Sequence, residues 1–162
     1  MLKYVFDVDG TLTPSRQVIN KKFAVWFRKF CQSNHVYLVT GSDRPKTLEQ
    51  IGNTIYNSCN RVYNCNGNDV WEKDVNVRNN PWKIQVSAHQ TLRYWLENTQ
   101  FPHLTGTHIE ERPGMVNFSI VGRGANKEQR AEYVKWDKKY NERDNMALYI
   151  NYNDDEFKDI IA

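Results

Sequence analysis

Apolar residues in the first third of the chain fall into short continuous runs separated by longer stretches of helical spacing. Lys3 to Val8 is a short run that leads straight into Gly10, which predicts a buried strand with a sharp turn at its carboxyl end. Asn20 then precedes Phe23, Trp26, Phe27 and Phe30, an i, i+3, i+4, i+7 pattern that predicts a capped helix with its aromatic face in the core. Val36 to Val39 is a second strand-like run, followed by Thr40-Gly41-Ser42-Asp43 and a helix from about Pro45 that carries Leu48 and Ile51. Arg61 to Cys65 is a third run, closed by the turn pair Asn66-Gly67. A β-α-β-α-β series of this kind implies an α/β fold with a parallel sheet.

Beyond that point the rhythm changes. Val70 to Arg78 alternates as a hairpin does, and Ala88 to Leu96 has Leu92, Trp95 and Leu96 on one helical face. Thr107 to Gly122 holds two strand-like runs around Pro113-Gly114, and Asn126 can cap a helix through Lys139 whose apolar positions are Ala131, Val134 and Tyr140. Strands followed by a helix suggest a second, α+β module. We therefore expect residues 1–80 in one domain and 81–162 in another. The segment from Met146 to Ala162 is apolar enough to pack, and periodicity alone leaves it open between helix and strand.

Charge and composition narrow the function classes. Hydrophobic residues make up 40% and charged residues 25%, values of a folded globular chain. The net charge of +3, from 22 basic and 19 acidic residues, is scattered and forms no tract that could follow a nucleic-acid backbone. No nucleic-acid partner is expected, and the balance suits a phosphorylated small molecule. No apolar stretch reaches the length of a membrane span, and Asp7 breaks the first apolar run, so a secretory leader is not expected. Cys31, Cys59 and Cys65 lack the histidine spacing of a zinc site and read as free thiols of a reducing, cytoplasmic setting.

The densest chemistry lies in Asp7-Val8-Asp9-Gly10-Thr11-Leu12-Thr13, two carboxylates one residue apart at the end of a strand. At a strand end both can face the crevice where open α/β sheets bind ligands. One carboxylate can attack phosphorus to form an aspartyl phosphate, and the other can give and take the proton. A bare Asp-x-Asp can equally cap a turn. Thr40, Gly41 and Ser42 lie where hydroxyls and N–H groups at a helix start can hold a phosphate, although Ser42 or Asp43 can also serve as a plain N-cap.

The full Asp7–Thr13 run resembles the first motif of the haloacid dehalogenase (HAD) superfamily of phosphatases and phosphomutases. Three further features narrow the likeness. Arg16 follows at the spacing Asp-x-Asp-Gly-Thr-Leu-Thr-x-x-Arg. Gly41-Ser42-Asp43 is followed by Glu49-Gln50-Ile51-Gly52-Asn53. Most telling, the stretch from Ile109 to Arg123, Ile-Glu-Glu-Arg-Pro-Gly-Met-Val-Asn-Phe-Ser-Ile-Val-Gly-Arg, and then Glu128-Gln129-Arg130, is similar almost position for position to the cap domain of eukaryotic-type phosphomannomutases.

That resemblance implies a Rossmann-like HAD core with an inserted α+β cap, and an enzyme that interconverts mannose 6-phosphate and mannose 1-phosphate. It implies Asp7 as nucleophile and Asp9 as acid/base, both also serving Mg²⁺, with a hexose 1,6-bisphosphate as activator. It assigns Arg16, Thr40 and Ser42 to phosphate, and Arg112, Met115, Asn117, Arg123 and Arg130 to the distal phosphate and sugar. Guanidinium groups suit this work because they grip phosphate oxygens in a fork and never deprotonate. Thr40 departs from the family's Gly-Gly-Ser-Asp toward the hydroxyl of related sugar phosphatases, so a phosphatase is the alternative activity, and a sugar-phosphate-binding fragment without turnover is another. The resemblance further implies a homodimer through the cap domain. In that family a lysine and an acidic Mg²⁺-binding motif follow the cap. The sequence reaches Ala162 without them, and the expectation is a piece of a longer protein, with a shortened homologue of altered activity as the alternative.

Overall fold

A computed structural model describes residues 2–153, 157 and 160–162. The chain divides into two compact units, one of residues 1–82 with 112–115, the other of residues 83–111 with 116–162.

The first unit is built on a five-stranded sheet in the order β1-β2-β3-β4-β5. Strands β1 (Lys3–Phe6), β2 (His35–Val39) and β3 (Arg61–Asn64) run parallel. They are joined by helices α1 (Lys21–Ser33) and α2 (Arg44–Tyr56), as the alternation of apolar runs requires. The hairpin β4 (Asp69–Glu72) and β5 (Val75–Asn79) extends the same sheet in antiparallel fashion beyond β3, so it belongs with the strands before it. Val8, Val36, Leu38 and Val62 pack with Phe27, Ile51, Ile55 and Tyr56 into one core.

Helix starts were legible. The Asn20 side chain accepts from the N–H groups of Lys22 and Phe23 at 2.9 and 3.2 Å, and Asp43 accepts from Lys46 N–H at 3.0 Å with Pro45 in the first turn. The aromatic face of α1 is less uniform than its spacing predicts. Phe27 is fully buried, but Trp26 is 55% exposed and stacks on Phe23 and Phe30 at 5.5 and 5.4 Å between ring centres. A residue at i+3 lies about 60° around the helix from i, so Trp26 reaches the rim of the buried stripe and its indole roofs the other rings.

The second unit holds α3 (Val86–Asn98), the strand pair β6 (Ile109–Arg112) and β7 (Met115–Phe118), α4 (Lys127–Tyr140) and α5 (Glu142–Tyr152). The turn residues of the hairpin, 112–115, group with the first unit. Phe101, Ile120, Val121, Tyr133 and Met146 form the second core, with Trp95, Phe118 and Trp136 against it. Asn126 and Gln129 make a reciprocal capping box, each side chain bonding the other's backbone N–H at 2.8 and 3.0 Å.

The buried face of α4 differs from the one its aliphatic residues mark. Val134, Tyr140 and Ala131 are exposed, and the helix buries Tyr133 and Asp137 instead. The Asp137 carboxylate accepts from Arg143 Nε at 2.6 Å and from Arg143 N–H at 2.8 Å. An aspartate so satisfied can sit inside, which leaves the weaker apolar positions outside. From Glu142 the chain is helical through Tyr152; the rest of the segment to Ala162 falls partly outside the described residues.

Candidate active site

Strand β1 stops at Phe6, and the next seven residues fold over their own backbone. Val8 is buried, and its carbonyl accepts from the N–H groups of Leu12 and Thr13, both at 3.0 Å. Gly10 has φ +78° and donates to the Thr13 carbonyl at 2.8 Å; a side chain here would be strained, which is why glycine stands at this turn. Asp7 is exposed, and none of the described residues hydrogen-bonds its carboxylate.

Asp9 is held firmly. Its Oδ1 accepts from Arg16 N–H at 2.6 Å and from Gln50 Nε2–H at 2.8 Å. Gln50 is only 1% exposed and also donates to Thr13 Oγ1 at 3.3 Å, while its own Oε1 has no partner. Arg16 sits at φ +60°, a left-handed conformation that directs its backbone N–H to Asp9. Two donors on one carboxylate oxygen leave the other open.

The second strand end lies beside the first, because β1 and β2 pair in register up to Phe6 and Leu38. Thr40 is buried; its N–H donates to the Tyr63 carbonyl at 2.9 Å and its Oγ1 accepts from Ser42 N–H at 3.1 Å. The loops after β2 and β3 are stitched together by Cys65 N–H to the Ser42 carbonyl and Asn66 N–H to the Thr40 carbonyl, both 3.0 Å. Asp43, of the two candidate residues, caps α2, and the half-buried Ser42 precedes it. Arg112 Nη1 donates to the Gly41 carbonyl at 3.0 Å. Burial pushes the Cys65 thiol up to about 11, which favours its protonated form near neutral pH.

In the second unit Glu110 is the organising group. Its Oε2 accepts from Arg123 Nε at 2.6 Å and from Asn117 Nδ2 at 3.2 Å. Arg130 turns its guanidinium onto backbone, donating to the carbonyls of Ala125, Gly122 and Arg123 at 3.1, 3.3 and 3.2 Å. Met115, at the start of β7 and grouped with the first unit, is half-buried. The first unit thus gathers Asp7, Asp9, Thr40 and Ser42 at the ends of neighbouring strands, with Arg16 and Arg112 bonded into the same loops. The second unit gathers Asn117, Arg123 and Arg130. Sequence reasoning missed Gln50 and Glu110 as supporting residues, although each lies inside a stretch that carried the family likeness.

The eukaryotic phosphomannomutase family model matches residues 23–160. The chain belongs to that family. Among its relatives, a phosphomannomutase of Glycine max is 33% identical over 153 residues, covering 90% of this chain and 62% of the relative. A phosphomannomutase of Saccharomyces cerevisiae is 31% identical over 162 residues, covering 96% of this chain and 62% of the relative. The chain therefore spans about three fifths of the length of these relatives. An IMP-bound, N-terminally truncated IMP-nucleotidase of Plasmodium falciparum superposes with a TM-score of 0.43 at 15% identity, over 84% of this chain and 45% of that one.

Phosphomannomutase chemistry raises the question of a metal. Among the described residues no group of three or more His, Cys, Asp or Glu side chains could hold one. Mg²⁺, however, is commonly bound by one or two carboxylates completed by substrate phosphate and water. The exposed, unbonded Asp7 carboxylate beside Asp9 fits that donor set. No helix among the described residues is long and apolar enough to cross a membrane.

Proposed function

We propose that this chain carries the phosphoryl-transfer site of a phosphomannomutase, exchanging phosphate between O6 and O1 of mannose. The observation that carries the reading is the contrast between two neighbouring carboxylates: Asp7 is exposed and unbonded, while Asp9 is fixed by Arg16 N–H and Gln50. A nucleophile needs an open approach, and an acid/base needs a fixed direction. Asp7 attacks phosphorus to form an aspartyl phosphate, and Asp9 protonates the departing sugar oxygen, then takes the proton from the hydroxyl that accepts the phosphate back.

The Thr40–Ser42 loop, at the N-terminus of α2, receives the reacting phosphate with Arg16. Arg112, Met115, Asn117, Arg123 and Arg130 hold the sugar and its other phosphate. Mg²⁺ held by Asp7 and Asp9 supplies charge neutralisation when bound. A hexose 1,6-bisphosphate that primes Asp7, a cap-to-cap homodimer, a cytoplasmic location and a domain division near residue 80 complete the proposal.

The test is a ³¹P NMR time course with mannose 1-phosphate, Mg²⁺ and a catalytic amount of glucose 1,6-bisphosphate. Mannose 6-phosphate is the expected product. Accumulation of inorganic phosphate would instead show water as acceptor, and an unchanged spectrum would remove catalytic turnover from this chain.

A further inference from the structure

At the opposite end of the sheet from Asp7 and Asp9, two thiols meet. Cys31, in the last turn of α1, and Cys59, between α2 and β3, place their sulfurs 3.9 Å apart. Both are buried, 4% and 2% exposed, and both are free. Their approach is imposed by the backbone around β2. Asn60 clamps Val36 from both sides, its side chain accepting Val36 N–H and its N–H donating to the Val36 carbonyl, each at 2.8 Å. Asn34 Nδ2 closes α1 by donating to the Phe30 carbonyl at 2.9 Å. The cysteines are thus seated on either side of the start of one strand, and neither belongs to the site proposed above.

We propose that Cys31 and Cys59 are a redox modification site, a dithiol that low-molecular-weight disulfides convert reversibly into an intramolecular disulfide. The sulfurs must close by about 1.9 Å to reach bonding distance, a movement within the reach of two side-chain rotations. A hollow of about 810 Å³, lined by Cys31, Ser33, Asn34, Cys59 and Asn60 among others, opens beside the pair and admits the oxidant. The contact between the two thiols holds Cys31 below its ordinary range, whereas the same contact and burial push Cys59 up. Cys31 is therefore the first to attack.

In that step the Cys31 thiolate bonds one sulfur of glutathione disulfide, and one glutathione leaves as its thiolate. Cys59, on losing its proton, then attacks the Cys31 sulfur and displaces the second glutathione. The pair loses two protons and two electrons, and the glutathione disulfide is reduced to two thiols. The new bond ties the end of α1 to the loop after α2.

The experiment treats the folded chain with oxidised glutathione, blocks remaining thiols, and maps the peptides by mass spectrometry without reduction. The expected result is a monomer lighter by two hydrogens, a Cys31–Cys59 cross-link, Cys65 still a thiol, and a thermal midpoint raised by several degrees that dithiothreitol reverses. Cys59→Ser should stop at a lasting glutathione adduct on Cys31. Bonds to Cys65, disulfides between chains, a lasting adduct on the unaltered chain, or no reaction in a buffer where the urea-unfolded chain reacts would each overturn the proposal. If Cys59→Ser does not fold, the peptide map of the unaltered chain decides alone.

Discussion

At single positions, what matters is whether a side chain is held or left open. Gln50 is the clearest case, because its amide donates to Asp9 and Thr13 while its own Oε1 is buried without a partner. Gln50→Leu removes both an unsatisfied oxygen, which is costly in the interior, and the bonds that aim Asp9. We expect stability to change by less than about 1 kcal/mol while turnover falls at least about tenfold with little change in KM, read by denaturation and steady-state kinetics. On the proposed mechanism, Asp7→Asn should abolish labelling of the protein by a ³²P-hexose bisphosphate, since an amide cannot replace a carboxylate as nucleophile. Arg123→Ala should weaken mannose 6-phosphate by about 2 kcal/mol, roughly 30-fold in Kd by calorimetry. Gly122 sits at φ +79°, and an added Cβ would lie 1.9 Å from the Thr105 carbonyl oxygen. Both facts forbid a side chain, so Gly122→Ala should lose at least about 2 kcal/mol of stability in a thermal melt.

Among the helices, ends were easier to read than faces. Asn20, Asp43 and Asn126 all cap helices where their position before an apolar pattern predicts it, because a cap is satisfied within three residues of itself. Asn126→Ala should cost about 1 kcal/mol by breaking the reciprocal bonds with Gln129, measurable as a lower midpoint of unfolding. The face of α4 was not legible in the same way. Val134 and Tyr140 read as its apolar side, yet Tyr133 and Asp137 are buried, and the partner that lets Asp137 stay inside, Arg143, lies in the next helix. Hydrophobicity alone has no place for an aspartate in the core.

For the molecule as a whole, the buried groups that prefer to be neutral set its behaviour toward alkali. Cys65, whose ordinary value is 9.0, is raised to about 11 by burial, and Tyr56 and Tyr133 are raised for the same reason. A raised acid binds its proton more tightly when folded, so its contribution to stability is complete below pH 9 and is lost as pH climbs toward about 11. The thermal midpoint should therefore fall across this interval, and the fall should be shallower in Cys65→Ala, as a pH series of melts would show. Membership of the phosphomannomutase family is likewise a property of most of the chain, since the match spans residues 23–160.

The parallel order of β1, β2 and β3, the helices between them and the pair Asp7 and Asp9 at a strand end could all be read from the amino acids alone. Each depends on spacing within a few residues or on a seven-residue run, and such signals survive without knowledge of distant partners. The supports of the site could not be read so. Gln50 reaches Asp9 across 41 positions and Arg112 reaches Gly41 across 71, and Cys31 meets Cys59 across 28. Pairings over such separations arise only when the chain has closed on itself, because it is packing, and not local preference, that selects which of many polar groups end up adjacent.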